Sequence, residues 1–311
     1  MTLQQLRYVI MVASKGTISE AAKELFISQP SLTNAIKELE KEINIELFIR
    51  TNKGVVLSRE GDEFLGYARQ VIAQVDLLDE KYNSTKASRR HFAISTQHYS
   101  FAVNAFVDLI RLYGKDAYDF HIRETQTHEI IEDVSKMRSE IGVLYLSDFN
   151  KEIIMKFIKS NNLKFTELFE AVPHIFISKK NPLAHKEIVT LQDLIEFPYL
   201  SFEQGDFNSF YFSEEILSTI ERKKNIHVRD RATLFNLLIG LNGYTICSGI
   251  ISKELNGKDI ISIPLDVDEK MHIGYITHKR SSLSFLGEAY VQEIKKYTDN
   301  IKEEDKPSPY N

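Results

Sequence analysis

The chain has 311 residues, 43% hydrophobic and 27% charged, an ordinary balance for a globular protein of two or three domains. Its 39 Lys and Arg against 44 Asp and Glu leave a net charge of −5, which argues against unspecific coating of nucleic acid and requires any DNA contact to be local. No apolar run approaches the roughly 18 residues that span a membrane, Met1-Thr2-Leu3 leads straight into an amphipathic helix without a signal peptide, and Cys247 is the single cysteine, which excludes an intramolecular disulfide and a multi-cysteine metal site. The expectation is a cytoplasmic protein with no membrane partner.

Leu3, Leu6, Tyr8, Val9, Ile10 and Val12 predict a first helix that ends before Lys15-Gly16, where Gly16 suits a left-handed C-terminal position. Thr17 to Glu42 then reads as two helices joined by a tight turn. Thr17 and Glu20 stand in capping-box register, and Ala21, Ala22 and Leu25 recur at helical spacing before a Phe26-Ile27 turn. Ser28 is a good N-cap, and Pro30 falls in the first helical turn, where its missing N–H is harmless. Leu32, Ile36, Leu39 and Ile43 make one apolar stripe, with Ser31, Thr33, Asn34 and Lys37 on the opposite face. This is the layout of a helix-turn-helix, whose second helix enters the major groove by its N-terminal end. Candidate DNA contacts are therefore Thr17, Ser28, Gln29, Pro30, Ser31, Thr33, Asn34 and Lys37. Charge does not carry the case, since the first 60 residues hold eight Lys and Arg against seven Asp and Glu. Periodicity alone favours an ordinary helical hairpin in a core. Ile45 to Arg50 and Val55 to Ser58 read as two short strands around the turn Thr51-Asn52-Lys53-Gly54, a wing. Arg50 and Lys53 are placed there to meet phosphate or the minor groove, or are simply solvated cations.

From residue 59 to about 85, Phe64, Ala68, Val71, Val75, Leu78 and Tyr82 follow one another at steps of four and three. That is an a/d seam and predicts a paired coiled coil; the competing view is one amphipathic helix packed on its own domain. The polar run Asn83 to Arg90 breaks the pattern and marks a hinge. Beyond it strands and helices alternate, the signature of parallel α/β layers. Strands are expected at His91–Thr96, Tyr118–Glu124, Ile141–Leu146, Tyr199–Phe202, Tyr244–Ile250, Ile260–Ile263 and Met271–Thr277. Helices are expected at Tyr99–Tyr113, His128–Arg138, Lys151–Lys159, Phe207–Ile220, Arg231–Leu241 and Leu286–Tyr297, with a second capping box at Thr190-x-x-Asp193 and a frayed tail from Lys302.

In parallel α/β sheets ligands gather at the carboxyl ends of strands, where the following helices point free N–H groups. Thr96, Gln97, His98, Tyr99 and Ser100 occupy the first such place, which would suit a carboxylate; for His98 a capping or surface role is an equal alternative. Glu124-Thr125 and Tyr145-x-Ser147 end the next two strands, and Ser201, Phe202, Glu203, Gln204, Thr245 and Ser248 hold the equivalent places in a second lobe. Glu203 and Glu124 are candidates for receiving an ammonium group, although solvated carboxylates at loop starts are commoner. The chain has no Gly-x-Gly-x-x-Gly, P-loop, His-Glu-x-x-His or Gly-x-Ser-x-Gly, and its nine histidines lack metal-ligand spacing. No catalytic residue, metal or cofactor is expected.

Leu3-x-x-Leu6-x-Tyr8, Ala21-Ala22, Ser28-Gln29-Pro30-Ser31-Leu32, Ile36-x-x-Leu39-Glu40, Glu46-Leu47-Phe48-x-Arg50 and Leu57-Ser58-x-x-Gly61 come in order at family spacing. Residues 1 to 65 resemble the winged helix-turn-helix of LysR-type transcriptional regulators, and the resemblance continues to about residue 300. It implies an N-terminal winged helix-turn-helix over 1–58, a long dimerisation helix and hinge over 59–88, and an effector-binding domain over 89–300. That domain would consist of two α/β Rossmann-like lobes resembling type 2 periplasmic binding proteins, lobe 1 about 89–163 and 267–300, lobe 2 about 164–266, followed by a tail over 301–311. The implied function is a regulator, dimeric or tetrameric, whose binding to double-stranded promoter DNA is modulated by a small-molecule effector in the cleft, acting with RNA polymerase. Ser95 to Tyr99, Asn208 to Ser213 and Asp230 to Asn236 resemble the streptococcal branch of the family linked to methionine or cysteine supply and cell-surface functions. Asn34 departs from many relatives, which carry Arg there, and Asn can pair bidentately with adenine. The alternatives are a regulator of this family sensing an unrelated metabolite and, more remotely, an enzyme or solute-binding protein on the same fold.

Overall fold

The computed structural model describes the chain except residues 53, 83–89, 115–116, 208, 252–258 and 305–311. Two compact units form, Met1–Ala87 with Ser135–Arg138, and Ser88–Val134 with Ser139–Asn311.

The first unit begins with α1 (Leu3–Lys15), α2 (Ile18–Glu24) and α3 (Gln29–Ile43). Local chemistry sets each boundary. Thr2 and Gln5 form a reciprocal capping box on α1, which Gly16 ends at φ 71°. Thr17 caps α2 by accepting from Glu20 N at 3.2 Å, and Ser28 caps α3 by accepting from Ser31 N at 3.2 Å. Val9, Val12, Ala21, Ala22, Leu32, Ile36 and Leu39 bury the inner faces of the three helices together with Leu47, Phe48 and Leu65. The wing is an antiparallel pair, β1 (Phe48–Thr51) and β2 (Gly54–Leu57). Glu40 ties it to α3, its Oε1 accepting from Leu47 N at 2.8 Å and Phe48 N at 3.2 Å. Gly54 must be glycine: its φ is 135°, and a Cβ would lie 2.3 Å from the Gly16 carbonyl, which accepts from Val55 N.

The next helix, α4 (Arg59–Tyr82), changes the expected seam. Ala68 is buried and, with Ile72, packs on Leu6, with Phe64 and Ile10 alongside. The first two seam positions therefore belong to the unit's own core, because α1 lies along them. Val71 is 43% exposed and Leu78 58% exposed, Val75 is half-buried, and the side chain of Tyr82 lies outside the described residues. Tyr67, at 55% exposed, joins Val71 and Leu78 on the outer face.

The second unit runs β3 (Arg90–Thr96), α5 (Ser100–Tyr113), β4 (Tyr118–Glu124), α6 (Thr127–Ser135), β5 (Ile141–Leu146), α7 (Lys151–Ser160), β6 (Leu163–Ala171) and β7 (His174–Ser178). It continues with β8 (Tyr199–Phe202), β9 (Asn225–Val228), α8 (Arg231–Leu241), β10 (Tyr244–Cys247), β11 (Ile260–Pro264), β12 (Met271–His278) and α9 (Phe285–Glu304). Two five-stranded sheets result, ordered β4-β3-β5-β12-β6 and β11-β7-β10-β8-β9. They are mixed, whereas parallel layers are the expectation: β12 is antiparallel to β5 and β6, and β7 is antiparallel to β10 and β11. One apolar core, from Phe92, Phe106 and Tyr290 to Ile175, Ile177 and Tyr199, runs through both lobes. Strand β6 belongs to the first sheet, so the chain crosses between lobes at Val172-Pro173 rather than near residue 164. The helix expected at Phe207–Ile220 is absent; short 3-10 turns at Gly205–Phe207 and Phe210–Phe212 take its place. The reason is burial: Phe212, Glu214, Glu215 and Ile216 are all buried, which no single helical face allows, and Leu217 follows at φ 62°. No helix among the described residues is long and apolar enough to cross a membrane.

Glu40→Ala should lower stability by about 1–3 kcal/mol, since two amides at the entry to the wing lose their acceptor. Urea unfolding of the variant beside the parent checks this, and an unchanged midpoint would show that other groups satisfy those amides.

Candidate functional sites

On the first unit, the capping and burial of α3 decide what it presents. With Leu32, Ile36 and Leu39 inward, Ser28, Gln29, Pro30, Ser31, Asn34 and Lys37 are exposed along one face and at its N-terminal end. Ser28 and Ser31 share a hydroxyl contact at 2.7 Å, while Thr33 is half-buried and its hydroxyl donates back to the Gln29 carbonyl at 2.8 Å. Thr17 is half-buried as the cap of α2. Arg50 stands exposed on the wing; Lys53 lies outside the described residues. Among the described residues neither Lys37 nor Arg50 has an acidic partner. The face thus offers amide, hydroxyl and cationic groups together, the types that read base edges and phosphates.

In the second unit a cleft, open at its mouth, lies between the lobes. His98, Tyr99 and Ser100 contribute from the start of α5; Phe202 from the end of β8; Arg231, Leu234 and Phe235 from α8; Thr245 to Ser248 from β10 and just beyond; and Phe176, Met271, Glu214 and Glu215 complete it. Of the residues expected there, His98, Tyr99, Ser100, Phe202, Thr245 and Ser248 are brought together.

The others are not, for identifiable reasons. Thr96 is buried and its hydroxyl donates to the Gln97 carbonyl at 2.8 Å. Gln97 is turned inward, donating to Thr127 Oγ1 at 2.6 Å and accepting from Tyr99 OH and Tyr145 N. Gln204 accepts from Thr127 N at 3.1 Å, so Gln97, Thr127 and Gln204 form a buried polar chain behind the cleft. Tyr145 lies within the core, and the amide of Ser147 donates to Asn150 Oδ1. Ser201 bonds His227, and Thr125 donates to Glu129. The two acids expected to receive an ammonium are both paired with protein cations, Glu124 with Arg231 and Glu203 with Arg229.

Two acids that sequence reasoning missed stand in the cleft instead. Glu214 accepts from His98 N at 3.0 Å and from His98 Nδ1 at 2.8 Å, both side chains being buried, and the His98 ring stacks on Phe202 at 3.7 Å. A carboxylate does sit just ahead of α5, as the free amides there suggest, but it is the protein's own. Glu215 is 2% exposed; its Oε1 accepts from Phe202 N at 2.8 Å, and its Oε2 has no hydrogen-bond partner among the described residues. Burial, then the neighbouring Glu214, push the Glu215 carboxyl well above the usual carboxylate range, against the Phe202 amide, which lowers it. Burial lowers Arg231 to about 10 and raises the Cys247 thiol, which leans on the His174 carbonyl as an unreactive neutral group. Two adjacent acids inside the apolar run Phe212-Ser213-Glu214-Glu215-Ile216-Leu217 were the available signal.

The raised Glu215 carboxyl makes stability depend on pH. Below the ordinary carboxylate value of 4.5 both folded and unfolded chains hold its proton; above it only the folded chain does, so its contribution falls as pH rises. Glu214, Tyr99, Tyr145, Tyr199, Cys247 and Arg222 surround it electrostatically. Relative to the parent, Glu215→Gln should gain stability with rising pH, by up to about 1.4 kcal/mol per unit. Unfolding titrations of both proteins from acid to neutral pH check this; parallel curves would refute it.

Residues 3–62 match the family model described as bacterial regulatory helix-turn-helix protein, lysR family, and residues 91–299 match LysR substrate binding domain. The chain is similar to the HTH-type transcriptional regulator YnfL of Escherichia coli strain K12, 28% identical over 225 residues that cover 71% of each chain. Among solved structures, a cysteine-substituted variant of full-length OxyR from Pseudomonas aeruginosa superposes with a TM-score of 0.67 at 16% identity, over 96% of this chain and 94% of that one. CbnR, a LysR family transcriptional regulator, superposes at 0.58 with 17% identity, over 96% and 99% of the two chains. At these identities the structural likeness is one of fold.

Proposed function

The chain belongs to the LysR family of DNA-binding transcriptional regulators, with an effector-binding domain, and from that premise we propose how its two units are used. Helix α3 reads promoter DNA through Gln29, Ser31 and Asn34, and Arg50 of the wing meets phosphate. The single observation that carries this is the polar face of α3: exposed, headed by a capped N-terminus, and backed by a buried stripe that leaves no freedom to turn it inward. A small molecule in the cleft modulates promoter binding. The protein works in the cytoplasm with RNA polymerase, as a homodimer or homotetramer.

Pairing through α4 is supported by its outer face, where Tyr67, Val71 and Leu78 stay exposed while Ala68 and Ile72 satisfy the inner one. Control of sulfur amino acid supply or cell-surface genes is supported by the branch resemblance, since two of the stretches that carry it supply His98, Tyr99, Arg231, Leu234 and Phe235 to the cleft.

Gel shift with the DNA upstream of its own gene should give a specific complex, and its absence would remove the regulator reading. Gln29→Ala and Asn34→Ala should each relax preference at single base pairs by about 1–3 kcal/mol. Arg50→Ala should weaken all sequences alike and flatten the dependence on salt; an unchanged slope would refute a phosphate role. Val71→Asp should halve the mass seen by light scattering, and an unaltered mass would count against pairing through α4. Ser248→Trp should fill the cleft and abolish a reporter gene's response to metabolites while DNA binding persists; a retained response would refute the effector site.

A further inference from the structure

The chemistry of the cleft points to the class of molecule it takes, given the reading of this cleft as the effector site. We propose that the ligand carries a primary ammonium group on a compact apolar body, the ammonium meeting the free oxygen of Glu215.

Three observations converge. First, the place where sequence reasoning would seat a ligand's carboxylate is already filled: Glu214 takes both the backbone amide and the ring nitrogen of His98. Second, Glu215 lines the cleft with Oε2 buried and without a partner among the described residues, while its Oε1 is held by the Phe202 amide, so the free oxygen is fixed in place. Third, no cation among the described residues hydrogen-bonds or ion-pairs with it, and Arg222 acts on it only through the field of its charge. Arg222 is committed to Tyr244 OH and the carbonyls of Ile220 and Leu217, and lies over the Tyr199 ring at 3.9 Å. Arg231 also lines the cleft and faces Glu124 as its ion-pair partner, while its Nε and Nη2 have no hydrogen-bond partner among the described residues. A buried oxygen left unmatched is costly, and an acid kept so in a ligand cleft is matched by what binds there. Phe176, Phe235 and Leu234 offer the surface for an apolar body and an aromatic face for a cation.

Binding then has a proton balance. The carboxyl of Glu215, raised by burial, holds a proton in the free protein; an ammonium ion arriving at Oε2 favours the carboxylate, and the proton leaves to solvent. The groups facing this carboxyl are Glu214, Tyr99, Tyr145, Tyr199, Cys247 and Arg222.

The test uses the full chain and three matched probes: L-norleucine, its decarboxylated form pentylammonium, and its deaminated form hexanoate. At millimolar concentration pentylammonium and norleucine should raise the melting temperature and hexanoate should not. Glu215→Gln should weaken pentylammonium at least about tenfold while its own melting temperature does not fall, as removal of an unmatched buried acid requires. Should that variant fail to fold, calorimetry of the parent in two buffers of different ionisation enthalpy gives the second readout, proton release on binding pentylammonium. Hexanoate bound as tightly as pentylammonium, a Glu215→Gln protein with undiminished affinity, binding without proton release, or no response to either amine would each overturn the proposal. The effector reading fails separately, through an unchanged reporter response in Ser248→Trp.

Discussion

The contact between Glu214 and His98 is the constraint around which the second unit is arranged. One carboxylate takes a backbone amide and a ring nitrogen from the loop that precedes α5, and it does so from the other lobe. Both side chains are buried, so the desolvation of the acid is offset only while these bonds hold. The imidazole, fixed in this way, lies flat on Phe202, and the end of β8 is held against the start of α5. Removing either partner would leave a polar group stranded between two sheets.

Behind that contact runs the chain of Gln97, Thr127 and Gln204, each bonded to the next and each bonded also to backbone: Gln97 to Tyr145 N, Gln204 to Thr127 N, Thr127 to the Phe212 carbonyl. Such a network rigidifies because every member is matched. The cleft in front of it differs by containing Glu215, whose outer oxygen is unmatched among the described residues. A fully satisfied wall thus faces a partly unsatisfied one.

In the first unit the same helix serves two purposes at different depths. The inner face of α4 closes the helical core through Leu65, Ala68 and Ile72, while its outer face keeps Tyr67, Val71 and Leu78 exposed. A repeat of four and three marks both faces in the sequence without saying which will be taken by α1. Only the packing of Leu6 and Ile10 against α4 divides the seam.

What the amino-acid sequence by itself determined is local. Thr2, Thr17, Ser28, Gly16 and Asn242 place helix ends because capping depends on neighbours a few residues away, and the apolar stripe of α3 orients its polar face for the same reason. The ordered motifs from Leu3 to Gly61 extend this to the winged helix-turn-helix, strand alternation extends it to α/β layers, and the division into two lobes came only as what the family resemblance implies. What only the tertiary structure decided is pairing over long distances. β6, β7 and β9 were not legible, β6 because it carries charges along its length, and the antiparallel entry of β12 beside β5 is set by a partner far along the chain. The same holds for the acids. Glu124 and Glu203 stand at strand ends where a ligand would be sought, yet Arg231 and Arg229 reach them across the fold. Glu214 and Glu215 sit in a stretch that reads as helix, and they become the cleft's acids only because burial of Phe212 and Ile216 on either side forces the chain to turn there.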